Sequence, residues 1–160
     1  ADRGHSVTLL VVGLAFSLVG DVLLLDHRRF VGGLVAFLLA HLAYIAAVLQ
    51  RPVSGPPFPW LGFGAIALAL ACHGRFGRDL IRAAGSLRIP VLAYEIVLLS
   101  LCVLSWFRGP WLLGFGTSFF VASDLMLGRD HFLGGPSWSR IAVMSTYHVA
   151  QVLIVWGLLA

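Results

Sequence analysis

Six apolar stretches occupy most of this 160-residue chain, and most of them approach the length at which a helix crosses a membrane. A spanning helix needs about 20 predominantly apolar residues. We therefore predict an all-α fold, a polytopic transmembrane helical bundle with about six membrane-spanning helices that forms a single domain over residues 1–160. The stretches run over residues 7–25, 30–49, 59–72, 88–107, 111–128 and 141–160, and the third is the weakest span.

Composition excludes an ordinary soluble domain. The mean hydropathy is +0.94, and only 11% of the residues are charged, whereas about a quarter are charged in soluble domains. The net charge of +4 comes from arginines clustered between the apolar stretches, as expected of loops beside anionic lipid head groups. We therefore expect a membrane bilayer as the surroundings and no nucleic acid as a partner.

The arginines also predict an orientation. Most of them follow the first, third and fifth stretches, which places them on one side of the membrane. The positive-inside rule assigns this side to the cytoplasm and both chain ends to the opposite side. The arginine-rich side carries Arg28, Arg29, Arg75, Arg78, Arg82, Arg88, Arg129 and Arg140.

Three connecting segments have recognisable composition. Residues 51–59 include Pro52, Pro56, Pro57 and Pro59 and are predicted to form a loop, as is the glycine-rich segment 134–139. Residues 76–88 alternate arginines with apolar side chains, a pattern typical of an amphipathic segment at the membrane interface. These assignments leave the apolar stretches as the spans.

Three acidic residues interrupt the apolar stretches. Asp21, Glu95 and Asp124 each lie inside a predicted span. An ionisable side chain in a spanning helix costs about 2.5–3.5 kcal/mol on insertion scales, so it usually faces the bundle interior and serves a function. Their positions predict a polar site inside the membrane.

Other polar side chains share faces with these acids. His41 and Tyr44, and likewise Tyr147 and Gln151, are three or four residues apart and project from one side of their helices. Counted from the arginine-rich end at about 1.5 Å per residue, the polar groups lie between that end and the membrane centre. The predicted site contains Asp21, His41, Tyr44, Tyr94, Ser123, Asp124, Tyr147 and Gln151, and small residues beside it (Gly20, Gly114, Gly116, Ala122 and Ser123) allow close helix approach.

Each polar residue also has a purely structural interpretation. Asp21 can pair with Arg28, and Asp124 with Arg129. Glu95 can join Arg88 or Arg140 as a structural ion pair. His41 can be a core histidine bonded to a neighbouring carbonyl group. Cys72 and Cys102 show no metal-ligand spacing and are expected to be buried small hydrophobic residues.

The ordered motifs resemble those of the YhhN-like, lysoplasmalogenase family of integral membrane proteins. Gly-Asp comes first, followed by His-x-x-Tyr, a tyrosine in the fourth stretch, Ser-Asp and Tyr-x-x-Ala-Gln. Glu95 is not part of this signature. The motifs lie in SLVGDVLLL (17–25), GLVAFLLAHLAYI (33–45), VLAYEIVLLS (91–100), GTSFFVASDLMLG (116–128) and TYHVAQVLI (146–154).

The resemblance implies both a topology and an activity. The family usually has about eight helices, so this chain resembles its last six, with N-terminal helices missing. The implied activity is hydrolysis of the vinyl ether bond of a single-chain membrane lysolipid, giving a fatty aldehyde and a glycerophospho-alcohol. It implies Asp21 and Asp124 as catalytic residues, the other six candidates as groups that position substrate or water, and no cofactor or metal.

The chemistry of a vinyl ether suits a pair of carboxyl groups. Cleavage begins with proton delivery to the β-carbon, which creates an oxocarbenium ion that water captures. Two neighbouring carboxyl groups in low-dielectric surroundings hold their protons unequally, so that one serves as the acid while the other is ionised. Asp21 and Asp124 meet this requirement if the helices bring them together.

Two other functions remain open at this stage. A metal-dependent lipid hydrolase would use His41, His148, Asp21 and Asp124 as nitrogen and oxygen ligands, although no closely spaced histidine pair is present. A transporter, lipid flippase or proton-coupled carrier would use Asp21, Glu95 and Asp124 as a relay. No internal repeat supports the transporter.

Overall fold

The computed structural model describes residues 3–53 and 59–160, which are almost entirely helical. The predicted spans agree with the observed helices to within a few residues at most ends. Of the predicted loops 51–59 and 134–139, residues 51–53 and 134–138 are non-helical, but Pro59 and Ser139 already belong to helices. Residues 54–58 lie outside the described part. The helices are α1 (Arg3–Leu24), α2 (Phe30–Gln50), α3 (Pro59–Cys72), α4 (Arg78–Ala83), α5 (Arg88–Arg108), α6 (Trp111–Leu133) and α7 (Ser139–Leu159).

The five long helices close a ring. Helix α1 packs along α2, α2 along α5, α5 along α6, α6 along α7, and α7 returns to α1. Tyr44, Leu98 and Phe120 are fully buried at the centre of this ring, where they form part of one continuous core. Side chains that lie far apart in the sequence therefore meet in one shared interior.

The same five helices are long and apolar enough to cross a membrane. The third predicted span is the exception, because α3 has only 14 residues. Helix α3 continues through a π-helical segment, His73–Gly77, into α4, and it packs outside the ring against α5 and α6. The predicted amphipathic segment 76–88 is thus helical over much of its length, with Leu80 buried.

Helix α6 extends further than its apolar pattern predicts. The stretch was expected to end at Gly128, but the helix continues to Leu133 and stops before Gly134, whose φ is +75°. Gly128 lies inside the helix with Leu80 packed onto it: a Cβ there would lie 2.7 Å from the Leu80 Cδ1. The predicted stretch 111–128 puts Asp124 four residues from its end, and this is wrong, since nine residues follow Asp124 in α6.

Candidate functional site

A chain of hydrogen bonds links three of the long helices at one carboxylate. The Tyr147 hydroxyl donates to Asp21 Oδ2 at 2.8 Å, and Gln151 Nε2 donates to the Tyr147 hydroxyl oxygen at 3.2 Å. The Tyr44 hydroxyl donates to Gln151 Oε1 at 2.9 Å, which leaves its oxygen to accept from Ser17 at 3.4 Å. The bonds run in a consistent direction and end on Asp21, which the structure therefore holds in a fixed orientation.

The second carboxylate has its own tyrosine. The Tyr94 hydroxyl of α5 donates to Asp124 Oδ2 of α6. Tyr94 is only 6% exposed, so this contact lies within the bundle. Each candidate catalytic aspartate is thus bound by a buried tyrosine from a different helix, and no residue in the described part of the chain forms a hydrogen bond to either Oδ1.

His41 lies between these two groups. Its ring centroid is 5.3 Å from that of Tyr94 and 4.7 Å from that of Phe120. Phe120 also packs edge-on against Tyr147, with a centroid distance of 5.5 Å. His41 is completely buried, and neither ring nitrogen has a hydrogen-bond partner among the described residues. Because neither nitrogen bonds to a carbonyl group of the described residues, His41 is not the carbonyl-bonded core histidine that the sequence also allowed. A buried histidine without partners is unusual, since buried polar atoms nearly always have partners.

The second carboxyl group, Asp124, also lies near other ionisable groups. Asp21 and Glu95 both lie within electrostatic range of Asp124, and Asp21 is likewise within range of His148. The ring of helices therefore brings Asp21 and Asp124 together although 102 residues separate them in the chain. This proximity is the arrangement that two-carboxylate chemistry requires.

A small cavity, called here the Asp124 cavity, adjoins the second carboxylate. Its volume is about 40 Å³, which is enough to hold water. Tyr94, Glu95 and Asp124 line it together with His73 and mainly apolar side chains. It is therefore a space where a water-sized group can meet the Asp124 carboxylate.

Glu95 and His73 were not assigned to the site from the sequence. Both line the Asp124 cavity and interact electrostatically with each other. His73 Nδ1 lies 3.0 Å from the Ala69 carbonyl oxygen, to which it can only donate, so Nε2 is the nitrogen left over. His73 opens the π-helical segment after α3, which no simple periodicity reveals, although such segments are frequent at functional sites.

Ser123 differs from the other candidates in that its hydroxyl binds a backbone carbonyl group of a neighbouring helix. It is buried, and its hydroxyl donates to the Val143 carbonyl oxygen of α7 at 3.0 Å. This bond joins α6 to α7 and uses the hydroxyl proton, while the oxygen can still accept a hydrogen bond. The role of Ser123 in positioning substrate or water stays a prediction.

The small residues beside the site confirm close packing at three positions. A Cβ on Gly116 would lie 2.9 Å from the Ile154 backbone nitrogen, and one on Gly114 would lie 2.5 Å from the Trp106 ring. A Cβ on Gly20 would lie 2.6 Å from the Phe37 ring. Ala122 differs, since it is exposed and faces away from the ring.

Replacement of Gly20 should disturb the site through Phe37. The Phe37 ring packs edge-on against Tyr147 at a centroid distance of 5.8 Å, so the Gly20→Ala methyl group would push it towards the Asp21 hydrogen-bond chain. We expect a stability loss of about 1–3 kcal/mol, the usual cost of overpacking, read as a lower thermal unfolding midpoint. Gly64→Ala is the control, because no atom lies within 4 Å of that Cβ; equal midpoints for the two variants would contradict the close contact.

The structural ion pairs considered for the acids are not formed. The ion pairs found in the described ranges are Arg29–Asp26 at 3.5 Å and Arg82–Asp79 at 3.7 Å, both at the surface. Asp21 and Asp124 are bound by tyrosines instead. These acids are therefore not simple counterions of loop arginines.

The metal-site alternative gains no support from the geometry. In residues 3–53 and 59–160, no three His, Cys, Asp or Glu side chains are placed to hold a metal ion. His148 is exposed, and its Nδ1 lies 2.7 Å from the Met144 carbonyl oxygen in its own helix. The four residues proposed as ligands thus do not assemble into one coordination site.

Comparison with known proteins identifies related sequences. The lysoplasmalogenase TMEM86A of Bos taurus is 30% identical over 93% of this chain and 64% of its own length. Lysoplasmalogenase TMEM86B of Mus musculus is 31% identical (97% and 65%), and the lysoplasmalogenase of Mycobacterium tuberculosis is 32% identical (96% and 61%). The chain thus spans less than two thirds of the length of these relatives. No solved structure gives a significant match.

The family comparison agrees with the motifs and the fold. The model of the YhhN family matches residues 1–158, nearly the whole chain. The five apolar helices are consistent with an integral membrane protein. The chain belongs to the YhhN family.

Proposed function

We propose that this protein hydrolyses the vinyl ether bond of a single-chain lysoplasmalogen-type lipid within the membrane. The observation that carries the proposal is the pair of carboxylates, Asp21 and Asp124, each bound by a buried tyrosine and close enough to interact. The relatives named lysoplasmalogenase support the same reaction. The bilayer supplies the substrate and accommodates its hydrocarbon chain.

Asp124 is the proposed general acid. Its Oδ2 accepts from Tyr94, so Oδ1 is the oxygen that can carry a proton into the Asp124 cavity. Transfer of this proton to the β-carbon uses the π electrons of the double bond and leaves an oxocarbenium ion at the α-carbon and ether oxygen. General acid catalysis of this kind contributes typically 10²–10⁴-fold.

Asp21 is the proposed partner for the second half of the reaction. An ionised carboxylate near the oxocarbenium ion stabilises its positive charge and accepts a proton from the attacking water. The hemiacetal that forms then breaks its bond to the glycerol oxygen, which takes up a proton as the aldehyde carbonyl forms. Protons consumed and released balance, and water is the only co-reactant.

His41 is the proposed water-binding group between the two carboxylates. Both of its nitrogens are buried without a partner among the described residues, and a buried polar group of this kind is commonly satisfied by an ordered water. Its ring packs beside Tyr94 and Phe120, which supports the proposal that such a water lies between the Asp124 and Asp21 groups. Tyr44 and Gln151 then act by orienting Tyr147, which they reach through hydrogen bonds.

The arginine-rich side is proposed to face the cytoplasm. Eight arginines lie at this end of the bundle, as the positive-inside rule requires. The walls of the Asp124 cavity include Phe30, at the start of α2 on the same side. Substrate would then enter from the cytoplasmic head-group layer with its chain still in lipid.

A three-lipid assay tests the proposed reaction. The full-length protein in detergent is given a 1-alkenyl lysolipid, its saturated 1-alkyl analogue and a 1-acyl lysolipid, and aldehyde and fatty acid are both measured. We expect aldehyde from the alkenyl lipid alone, because protonation at carbon needs the double bond. Fatty acid from the acyl lipid without any aldehyde would make the protein an esterase and refute the proposal.

The same assay separates the two remaining functions. A metal-dependent hydrolase would lose turnover after chelation and dialysis, and would regain it when a divalent metal is added. A transporter would release no aldehyde in detergent, where no compartments exist. Unchanged aldehyde release after chelation supports the carboxylate mechanism over both.

A further inference from the structure

A second cavity lies at the arginine-rich end of the bundle, where α1 turns into α2 and α6 turns into α7. Its volume is about 160 Å³, four times that of the Asp124 cavity. Unlike that cavity, it has charged groups of both signs in its walls. Its polar lining consists of Asp26, His27, Asp130, His131 and Arg140.

Asp130 and Arg140 face this cavity from different helices without pairing. Asp130 belongs to α6 and Arg140 to the first turn of α7. In the described part of the chain, the ion pairs involve neither residue. An acid and a base that share a cavity but do not meet are complementary to a ligand that carries both charges.

The backbone around Asp130 keeps this acid in place. A Cβ on Gly135 would collide with the Asp130 carboxylate and lie 2.9 Å from the Ser139 hydroxyl oxygen. Ser139 in turn donates to the Pro136 carbonyl oxygen at 2.7 Å. The glycine-rich loop therefore packs directly against the acid.

Asp26, the other acid of the cavity, is already engaged. Its Oδ1 accepts from the Arg28 backbone nitrogen at 3.0 Å, and its Oδ2 lies 3.5 Å from Arg29. His131 is stacked on Phe30, with ring centroids 3.5 Å apart. Asp130 and Arg140 are thus the two full charges in the cavity walls that remain for a ligand.

The second cavity adjoins the proposed reaction site. Leu24, Phe30 and Leu127 line both cavities, which are therefore neighbours. Asp130 follows Asp124 by six residues on α6, which is about 9 Å along the helix axis. This separation suits the span from a 1-alkenyl ether through the glycerol and phosphate to a terminal ammonium group.

We propose that this second cavity binds the head group of the substrate, with Arg140 on the phosphate and Asp130 on the terminal ammonium group. The proposal rests on the proposed function for the orientation of the lipid, since it places the ether bond towards Asp124. Arg140 can hold a phosphate through two parallel hydrogen bonds. Asp130 then selects lipids whose phosphate carries an amine.

Binding of uncleavable lipids tests this assignment independently of catalysis. Three saturated 1-alkyl lipids are compared: one with a phosphoethanolamine head group, one with phosphate alone and one with free glycerol. Arg140→Gln should weaken binding of both phosphate lipids about tenfold, the expected loss for one hydrogen-bonded charge. Asp130→Asn, which keeps the side-chain shape, should weaken only the phosphoethanolamine lipid by a similar factor.

Matched controls lie at the same end of the molecule. Arg78→Gln and Asp79→Asn make the same charge changes at exposed positions outside this cavity and should leave all three dissociation constants unchanged. If Arg140→Gln cannot be purified, Arg140→Lys keeps the charge but loses the paired donors, and should give a smaller loss for both phosphate lipids.

The possible outcomes distinguish a failure of the head-group site from a failure of the proposed hydrolysis. Equal losses for all three lipids in the Arg140 and Asp130 variants, or no losses, would overturn the head-group site even if the protein releases aldehyde. The predicted binding pattern with no aldehyde from an alkenyl lipid would instead support the site and refute the proposed hydrolysis.

Discussion

Asp124→Asn should reduce aldehyde release from an alkenyl lysolipid by at least about 10²-fold, the lower end of what a positioned general acid contributes. The amide has nearly the same shape as the carboxylic acid and can still accept from Tyr94 through its oxygen. It has no proton acidic enough to transfer to carbon. The turnover number should therefore fall, while the dissociation constant of the saturated analogue stays close to the wild-type value.

Two comparisons make this result specific. Asp79→Asn removes an exposed acid whose ion pair with Arg82 spans 3.7 Å, and it should leave turnover unchanged because surface pairs contribute little. Tyr94→Phe removes the hydroxyl that orients Asp124 and should cause a smaller loss. Near-wild-type turnover in Asp124→Asn would show that the residue is structural and would remove it from the mechanism.

The helical spans could be predicted from the sequence because lipid imposes a simple requirement. A spanning segment must satisfy its backbone hydrogen bonds internally, so apolar length alone indicates a helix. Helix α2 illustrates this, since its predicted range 30–49 nearly equals the observed one, Phe30–Gln50. The end of α6 could not be predicted in this way, because charged residues end the apolar pattern after Gly128 while the helix continues to Leu133.

Which residues face the ring interior was easier to predict than which of them bind one another there. Acids inside apolar stretches and polar residues three or four positions apart identify faces, and these faces do converge on the ring interior. The periodicity does not say which helices are neighbours, however. The pairing of Asp21 with Tyr147 joins α1 to α7 across 126 residues, and that closure of the ring depends on tertiary packing.

His73 and Asp130 line the two cavities, yet the sequence did not identify either of them as a candidate site residue. Each lies beyond the end of an apolar stretch, among charged and aromatic residues that are typical of loops at the membrane interface. The π-helical segment turns His73 towards the Asp124 cavity, and the continuation of α6 carries Asp130 to the second cavity. Helix continuation past the apolar boundary is therefore the physical reason that the sequence interpretation missed both.

Asp21→Asn should also lower aldehyde release by at least about 10²-fold, but for a different reason. The amide cannot stabilise the oxocarbenium ion as a negative charge does, and it cannot accept a proton from water. The Tyr147 hydroxyl can still donate to the amide oxygen, so the hydrogen-bond chain through Gln151 should persist. The expected phenotype is loss of turnover with the thermal midpoint retained.

Tyr147→Phe distinguishes a direct role of Asp21 from a general effect on this region. It removes the hydrogen bond to Asp21 but keeps the charge, and therefore should cost about tenfold in turnover, as expected for one bond to a charged group. Asp21→Asn and Tyr147→Phe share this contact, so their combined effect should be less than the product of the two losses. Multiplicative losses would mean that Tyr147 acts independently of Asp21, and near-wild-type turnover in Asp21→Asn would leave Asp124 as the only carboxylate in the mechanism.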